Sequence, residues 1–291
     1  MFKGTTVALV TPFTDDGKID YDAYKGLLEF HLSSHTTALL IGGTTGESPS
    51  INDEELEKLF RLAVAKLKNH IPLLAGTGTN NTKASLKKTM MAKETGMDAA
   101  LIVAPYYNKP PQDSLYQHYE FIAKKSRWPI ILYNVPGRTG VNISPDTVGR
   151  LSKLKNIIGI KEASGCMNQA IEIKNRVKDT FLMLSGDDLT LLPFLSVGGH
   201  GVVSVSANLI PKKVQKVIDL WNAGKAAQAQ KFHNELYPLH KAMFVRTNPV
   251  PVKTALYLLN MVKNNFRLPL TPMPKDEMDH FRDILIDKDV L

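Results

Sequence analysis

Short apolar runs recur along the chain, and between them the spacing of apolar positions changes. The runs are TTVALVTPF (5–13), ALLIGGT (38–44), IPLLAGT (71–77), AALIVAPYY (99–107), PIILYNVP (129–136), IIGIKEAS (157–164), TFLMLSG (180–186) and GVVSVSA (201–207). Most are apolar throughout, the mark of strands covered on both faces in a parallel sheet. In the intervals the period lengthens. Leu56, Leu59, Phe60, Ala63, Val64 and Leu67 fall at i, i+3, i+4, i+7, i+8 and i+11, which builds one face of a helix. Asn52, with Glu55 three residues later, predicts a capping box at the start of that helix. Eight strand-plus-helix units in about 220 residues predict an α/β protein built as a (β/α)8 TIM barrel. An open, doubly wound sheet is the alternative, although no G-x-G-x-x-G follows the first strand.

From about residue 225 the strand pattern stops. Leu236, Leu239, His240 and Met243 are helically spaced, as are Val252, Ala255, Leu256 and Leu259. A Pro-rich turn at 268–274 precedes a last helical stretch holding Met278, Phe281 and Leu285. The division expected is a catalytic barrel over 1–224 and a C-terminal helical appendage over 225–291.

Composition narrows the class. With 291 residues, 43% hydrophobic and 22% charged, the chain has the makeup of an ordinary globular protein rather than a disordered or fibrous one. No apolar stretch approaches the ~20 residues that span a bilayer, so no membrane partner is expected. The N-terminal segment does not read as a signal peptide. The single cysteine, Cys166, cannot close an internal disulfide, which fits a reducing, cytoplasmic setting. The net charge of +8 comes from dispersed lysines such as Lys83, Lys87, Lys88 and Lys93, so it predicts solvated helix faces and no nucleic-acid partner.

Chemistry in such a barrel gathers at the C-terminal strand ends, so polar and glycine-rich departures from the runs carry the information. Lys161 lies inside a strand among Ile157, Ile158, Ile160 and Ala163. A cation there loses hydration, which favours the neutral amine that can attack a carbonyl. The alternative is a structural lysine paired with Glu162 or another buried carboxylate, although neighbouring strand residues point to opposite faces. Tyr133, on the preceding strand, is either a proton donor and acceptor for that amine or a core tyrosine. Arg138, bracketed by Gly137 and Gly140, is either a bidentate carboxylate anchor or a surface charge. Thr44 and Thr45 follow two glycines and form either an anion cradle or a plain turn. Asp187 and Asp188 suggest either a metal or, more simply, acidic residues at a helix N-terminus. None of the histidines falls in an H-E-x-x-H pattern, and no metal is expected.

GGTTGE (42–47), YNVPGRTG (133–140), IKEASG (160–165), the GDD end (186–188) and NPVPVK (248–253) occur in this order. Together they resemble the dihydrodipicolinate synthase family of the N-acetylneuraminate lyase superfamily, over essentially the whole chain. The resemblance implies condensation of pyruvate with L-aspartate 4-semialdehyde, an early step toward diaminopimelate and lysine. It implies that Lys161 forms a Schiff base with pyruvate and that Tyr133 moves protons with Thr44 and Tyr107, the last supplied by an adjacent subunit. Thr45 and the backbone around Val203 match contacts to pyruvate, Gly186 lines the same pocket, and Arg138 matches the semialdehyde anchor. It further implies a homotetramer arranged as a dimer of dimers, and no cofactor, because the lysine itself supplies the electron sink. Ser48, Pro49, Asn80 and Tyr106 match a regulatory site for lysine. Asp53, Leu56 and Ala84 replace the polar or acidic groups of lysine-sensitive members, so weak or absent lysine inhibition is expected. The rival readings are a sister pyruvate aldolase acting on sialic or keto-deoxy-sugar acids, a non-catalytic anion-binding barrel, and a pyridoxal-phosphate enzyme.

Overall fold

A computed structural model describes residues 1–291. Its first half alternates β1 (Gly4–Ala8), α1 (Tyr21–Ser33), β2 (Ala38–Ile41), α2 (Asp53–Leu67), β3 (Leu73–Gly76), α3 (Thr82–Thr95), β4 (Ala99–Val103) and α4 (Gln112–Ser126). Next come β5 (Ile130–Asn134), the single turn α5 (Pro136–Thr139), α6 (Pro145–Leu151), β6 (Ile157–Glu162) and α7 (Met167–Lys174). The ring ends with β7 (Leu182–Ser185), α8 (Leu191–Ser196), β8 (Gly201–Ser204) and α9 (Pro211–Asn222). The eight strands form a closed barrel in sequence order. Parallel pairing of β1 with β8, through Thr6 opposite Val203, shuts it.

The strands are shorter than the apolar runs. β1 stops at Ala8, yet Leu9, Val10 and Phe13 beyond it remain fully covered. Apolarity reports burial, and the run continues past the strand into a buried loop, where Phe13 makes only an isolated antiparallel bridge to Ile19. β8 likewise ends at Ser204 and passes into a single 3₁₀ turn, Ser206–Asn208.

The helix faces are as the spacing requires. Leu56, Leu59, Phe60, Ala63 and Leu67 of α2 are buried, with Val64 at the margin. Its capping box is present: the Asn52 side chain accepts from Glu55 N at 2.9 Å, and the Glu55 carboxylate accepts from Asn52 N at 3.1 Å. Two apolar clusters result. One of 63 residues lies between strands and helices; the other, of 13, fills the barrel and includes Ala8, Leu40, Leu74, Leu101, Ile131, Tyr133, Leu184 and Val203.

Three further helices follow: α10 (Ala226–Ala242), α11 (Val250–Leu258) and α12 (Lys275–Asp287). Residues 224 and 225 fall in the turn between α9 and α10. Leu236, Leu239, Leu256 and Phe281 from these helices belong to the larger cluster, so they pack on the barrel's outer shell. No helix is long and apolar enough to cross a membrane.

Candidate active site

Adjacent strands β5 and β6 set Tyr133 opposite Lys161 and Asn134 opposite Glu162. Because side chains alternate across a strand, one pair faces inward and the other outward. Tyr133 belongs to the cluster filling the barrel, and the Lys161 Nζ lies 4.0 Å from the centre of its ring. Lys161 is only 5% exposed and forms no ion pair. Glu162 is committed on the other face. Its carboxylate accepts from Asn134 Nδ2 at 3.0 Å, Ser164 N at 2.6 Å and Gln169 Nε2 at 2.8 Å. The alternative of a Lys161–Glu162 pair therefore does not occur.

Gly186 follows β7 directly beside the lysine. A Cβ at that position would stand 3.0 Å from Lys161 Cε and 2.4 Å from Ala163 Cβ, so only glycine leaves the stem of Lys161 its space. Val203 of β8 completes the same interior.

The loop after β2 folds into a compact turn. Gly42 takes a left-handed φ of 70°. Gly46 N donates to Gly43 O at 3.1 Å and Glu47 N to Thr44 O at 3.0 Å. Thr45 is buried, and its Oγ1 accepts from Asn248 Nδ2 at 3.0 Å. Arg138, on α5, is exposed at the mouth, and its Nη2 donates to the Asn248 backbone carbonyl at 3.3 Å. A cavity of about 370 Å³ opens there, lined by Thr44 and Arg138. Lys161 and Tyr133 lie outside its lining.

Ser48, Pro49 and Tyr106 line that cavity too, with Leu56 and Lys88 beside them. Asn80 does not; its carbonyl accepts from Asn108 Nδ2 at 3.0 Å. The nearby Asp53 carboxylate is engaged by Lys87 at 2.7 Å and Lys88 at 3.4 Å. Tyr107 stands apart. It is 90% exposed in a left-handed conformation, so the single chain does not fold it in against Tyr133.

The reading of Asp187 and Asp188 as acidic groups at a helix N-terminus is corrected. Thr190 precedes α8, and no side chain caps it. Asp188 is buried and holds the end of β8, accepting from Ser204 Oγ, from Val205 N at 2.9 Å and from Ser206 N at 3.1 Å. Asp187 accepts from Leu189 N and Thr190 Oγ1, each at 3.1 Å. Burial holds its carboxyl above the ordinary range, with Asp188 adding to the rise. No three His, Cys, Asp or Glu side chains gather in a metal-holding group.

Two residues of NPVPVK had no role assigned from the sequence. One is Asn248. The other is Lys253, fully buried, whose Nζ meets Glu47 Oε1 at 2.6 Å and the Asn265 carbonyl at 2.7 Å. Burial pulls this amine down to about 8 against the opposing pull of Glu47. A lysine in the otherwise apolar run VPVKTALYL was the available signal.

A family model described as the dihydrodipicolinate synthetase family matches residues 1–288. The chain belongs to that family. Within the dihydrodipicolinate synthetase family, a 4-hydroxy-tetrahydrodipicolinate synthase from Thermodesulfovibrio yellowstonii is 47% identical over 98% of each chain. The crystal structure of a dihydrodipicolinate synthase from Aquifex aeolicus superposes with a TM-score of 0.97 at 43% identity, covering 99% of each chain. The enzyme from Acinetobacter baumannii, crystallised with pyruvate, superposes with a TM-score of 0.97 at 38% identity over 100% of each chain.

Proposed function

We propose that the protein is a lyase that condenses pyruvate with L-aspartate 4-semialdehyde to give 4-hydroxy-tetrahydrodipicolinate, using Lys161 as its covalent centre. The observation that carries this reading is a buried lysine with no carboxylate partner, register-paired with Tyr133 and 4.0 Å from its ring. Once deprotonated, the Nζ attacks the keto carbon of pyruvate, and uptake of a proton as water leaves gives a protonated imine. That cation withdraws electrons from the adjacent methyl group, which gives up a proton and becomes an enamine carbon. Tyr133 moves protons in these steps, with Thr44 as a relay partner. The enamine carbon attacks the aldehyde carbon, and the aldehyde oxygen takes up a proton. The substrate's amine then adds to the imine carbon and displaces Lys161, closing the ring.

Thr45 and the backbone around Val203 hold the pyruvate carboxylate, and Gly186 lines their pocket. Arg138, exposed at the mouth, holds the carboxylate of the semialdehyde as it enters. The reaction needs no cofactor. Tyr107, projecting into solvent, reaches the site of an adjacent copy and completes its relay in a homotetramer built as a dimer of dimers. The work is cytoplasmic, as a single cysteine and a biosynthetic reaction suggest.

The test is borohydride reduction in the presence of pyruvate, followed by peptide mapping. The adduct is expected on the peptide holding Lys161 and absent from Lys161→Ala; an adduct elsewhere would reject the assignment. Turnover of pyruvate with the semialdehyde, measured beside cleavage of N-acetylneuraminate, separates this activity from that of a sialic-acid aldolase. Lysine is expected to inhibit weakly or not at all. Leu56 and Lys88 face the cavity beside Ser48 and Tyr106 and offer no free carboxylate to an incoming amino group. Inhibition at micromolar lysine would refute this.

A further inference from the structure

We propose that Asn248 is a positioning residue that sets the donor direction of Thr45 and couples the two carboxylate subsites; this rests on the imine reading above. Asn248 lies just ahead of α11, within the C-terminal helical segment, and is 6% exposed. It touches both side chains assigned to the acids. Its amide Nδ2 donates to Thr45 Oγ1 at 3.0 Å, and its backbone carbonyl accepts from Arg138 Nη2 at 3.3 Å.

The direction of the first bond matters. An amide N–H can only donate, so the Thr45 oxygen is the acceptor and its own proton is turned elsewhere. Thr45 Oγ1 has this one bond within the fold, which leaves the proton to be given to an acceptor in the pocket. A carboxylate is such an acceptor; an ammonium group is not. The other end of the Asn248 amide, Oδ1, is buried without a hydrogen-bond partner. Here all the side chain's hydrogen bonding goes to Thr45, and the helical tail thereby reaches the pyruvate subsite.

Two variants test the role. Asn248→Asp keeps the shape but can only accept, so Thr45 turns its proton to the new carboxylate and presents no donor to substrate. Asn248→Ala removes the bond. Each is expected to raise the KM for pyruvate about tenfold, the usual worth of one hydrogen bond to a charged group, with a smaller change in kcat. The borohydride adduct should still form on Lys161 at saturating pyruvate. In a Thr45→Val background, Asn248→Ala should raise KM no further, because the bond is already gone. A merely structural asparagine would instead add its loss to that of Thr45→Val. Thermal unfolding identifies which variants are folded, and the isosteric Asp variant serves if the Ala variant is not. An unchanged pyruvate KM in a folded variant, or additive losses, overturns the proposal while leaving the imine reading intact. Failure of the unsubstituted protein to form the adduct at Lys161 would sink both.

Discussion

Lys253 and Glu47 form an ion pair almost without contact with water, at 0% and 2% side-chain exposure, and Arg267 N also donates to Glu47 at 3.3 Å. Removing one partner leaves a buried charge uncompensated, so Lys253→Met should cost about 3–5 kcal/mol in urea unfolding. Adding Glu47→Gln should recover part of that loss; no recovery would show that the cost lies in packing. Gly186→Ala makes a contrasting prediction. The new methyl would press on Lys161 Cε, and overpacking of that kind should slow imine formation about ten- to hundredfold, measured as the rate of borohydride trapping. Lys161 was legible in the sequence because a charge inside a run of isoleucines has few explanations. Asn248 was not legible, since its partner Thr45 lies 203 positions away and an asparagine before proline reads as a turn.

Helices and strands were legible in number and order, but their ends were not. The run 5–13 predicts a strand twice the length of β1, because residues buried beneath a loop are as apolar as residues in a ladder. Ends were readable only where a side chain marks them. Asn52 and Glu55 do so for α2, whereas Asp187 and Asp188 suggested a cap, and the fold instead uses Asp188 to fasten the end of β8. Asn52→Ala should therefore cost about 1 kcal/mol in thermal unfolding, the usual worth of a cap. Because only the 3₁₀ turn Ser48–Ser50 separates this cap from the turn that carries Thr44 and Thr45, a larger loss would show that the helix also supports the mouth.

Taken whole, the molecule holds histidines that stay neutral inside it. Burial pushes His31 down to about 3 and His118 down to about 4, whereas in the unfolded chain each titrates near 6.5. Between those values the unfolded chain binds more protons than the folded one, so stability falls as pH falls. From pH 7 to pH 5, above the carboxylate range, each should lose about 2 kcal/mol. Urea unfolding at the two pH values checks this, and His118→Gln should remove its share of the slope. Equal stability at both would mean that these rings are protonated within the fold. The closed ring of strands bears on how copies of the chain can meet. Every strand has a neighbour on both sides, so the sheet exposes no free margin onto which a second sheet could be templated. Association must then be read through side chains on loops and helices, among which Tyr107 is the most exposed of the large apolar ones, and growth into fibrils by strand addition has nowhere to begin without first breaking the ring.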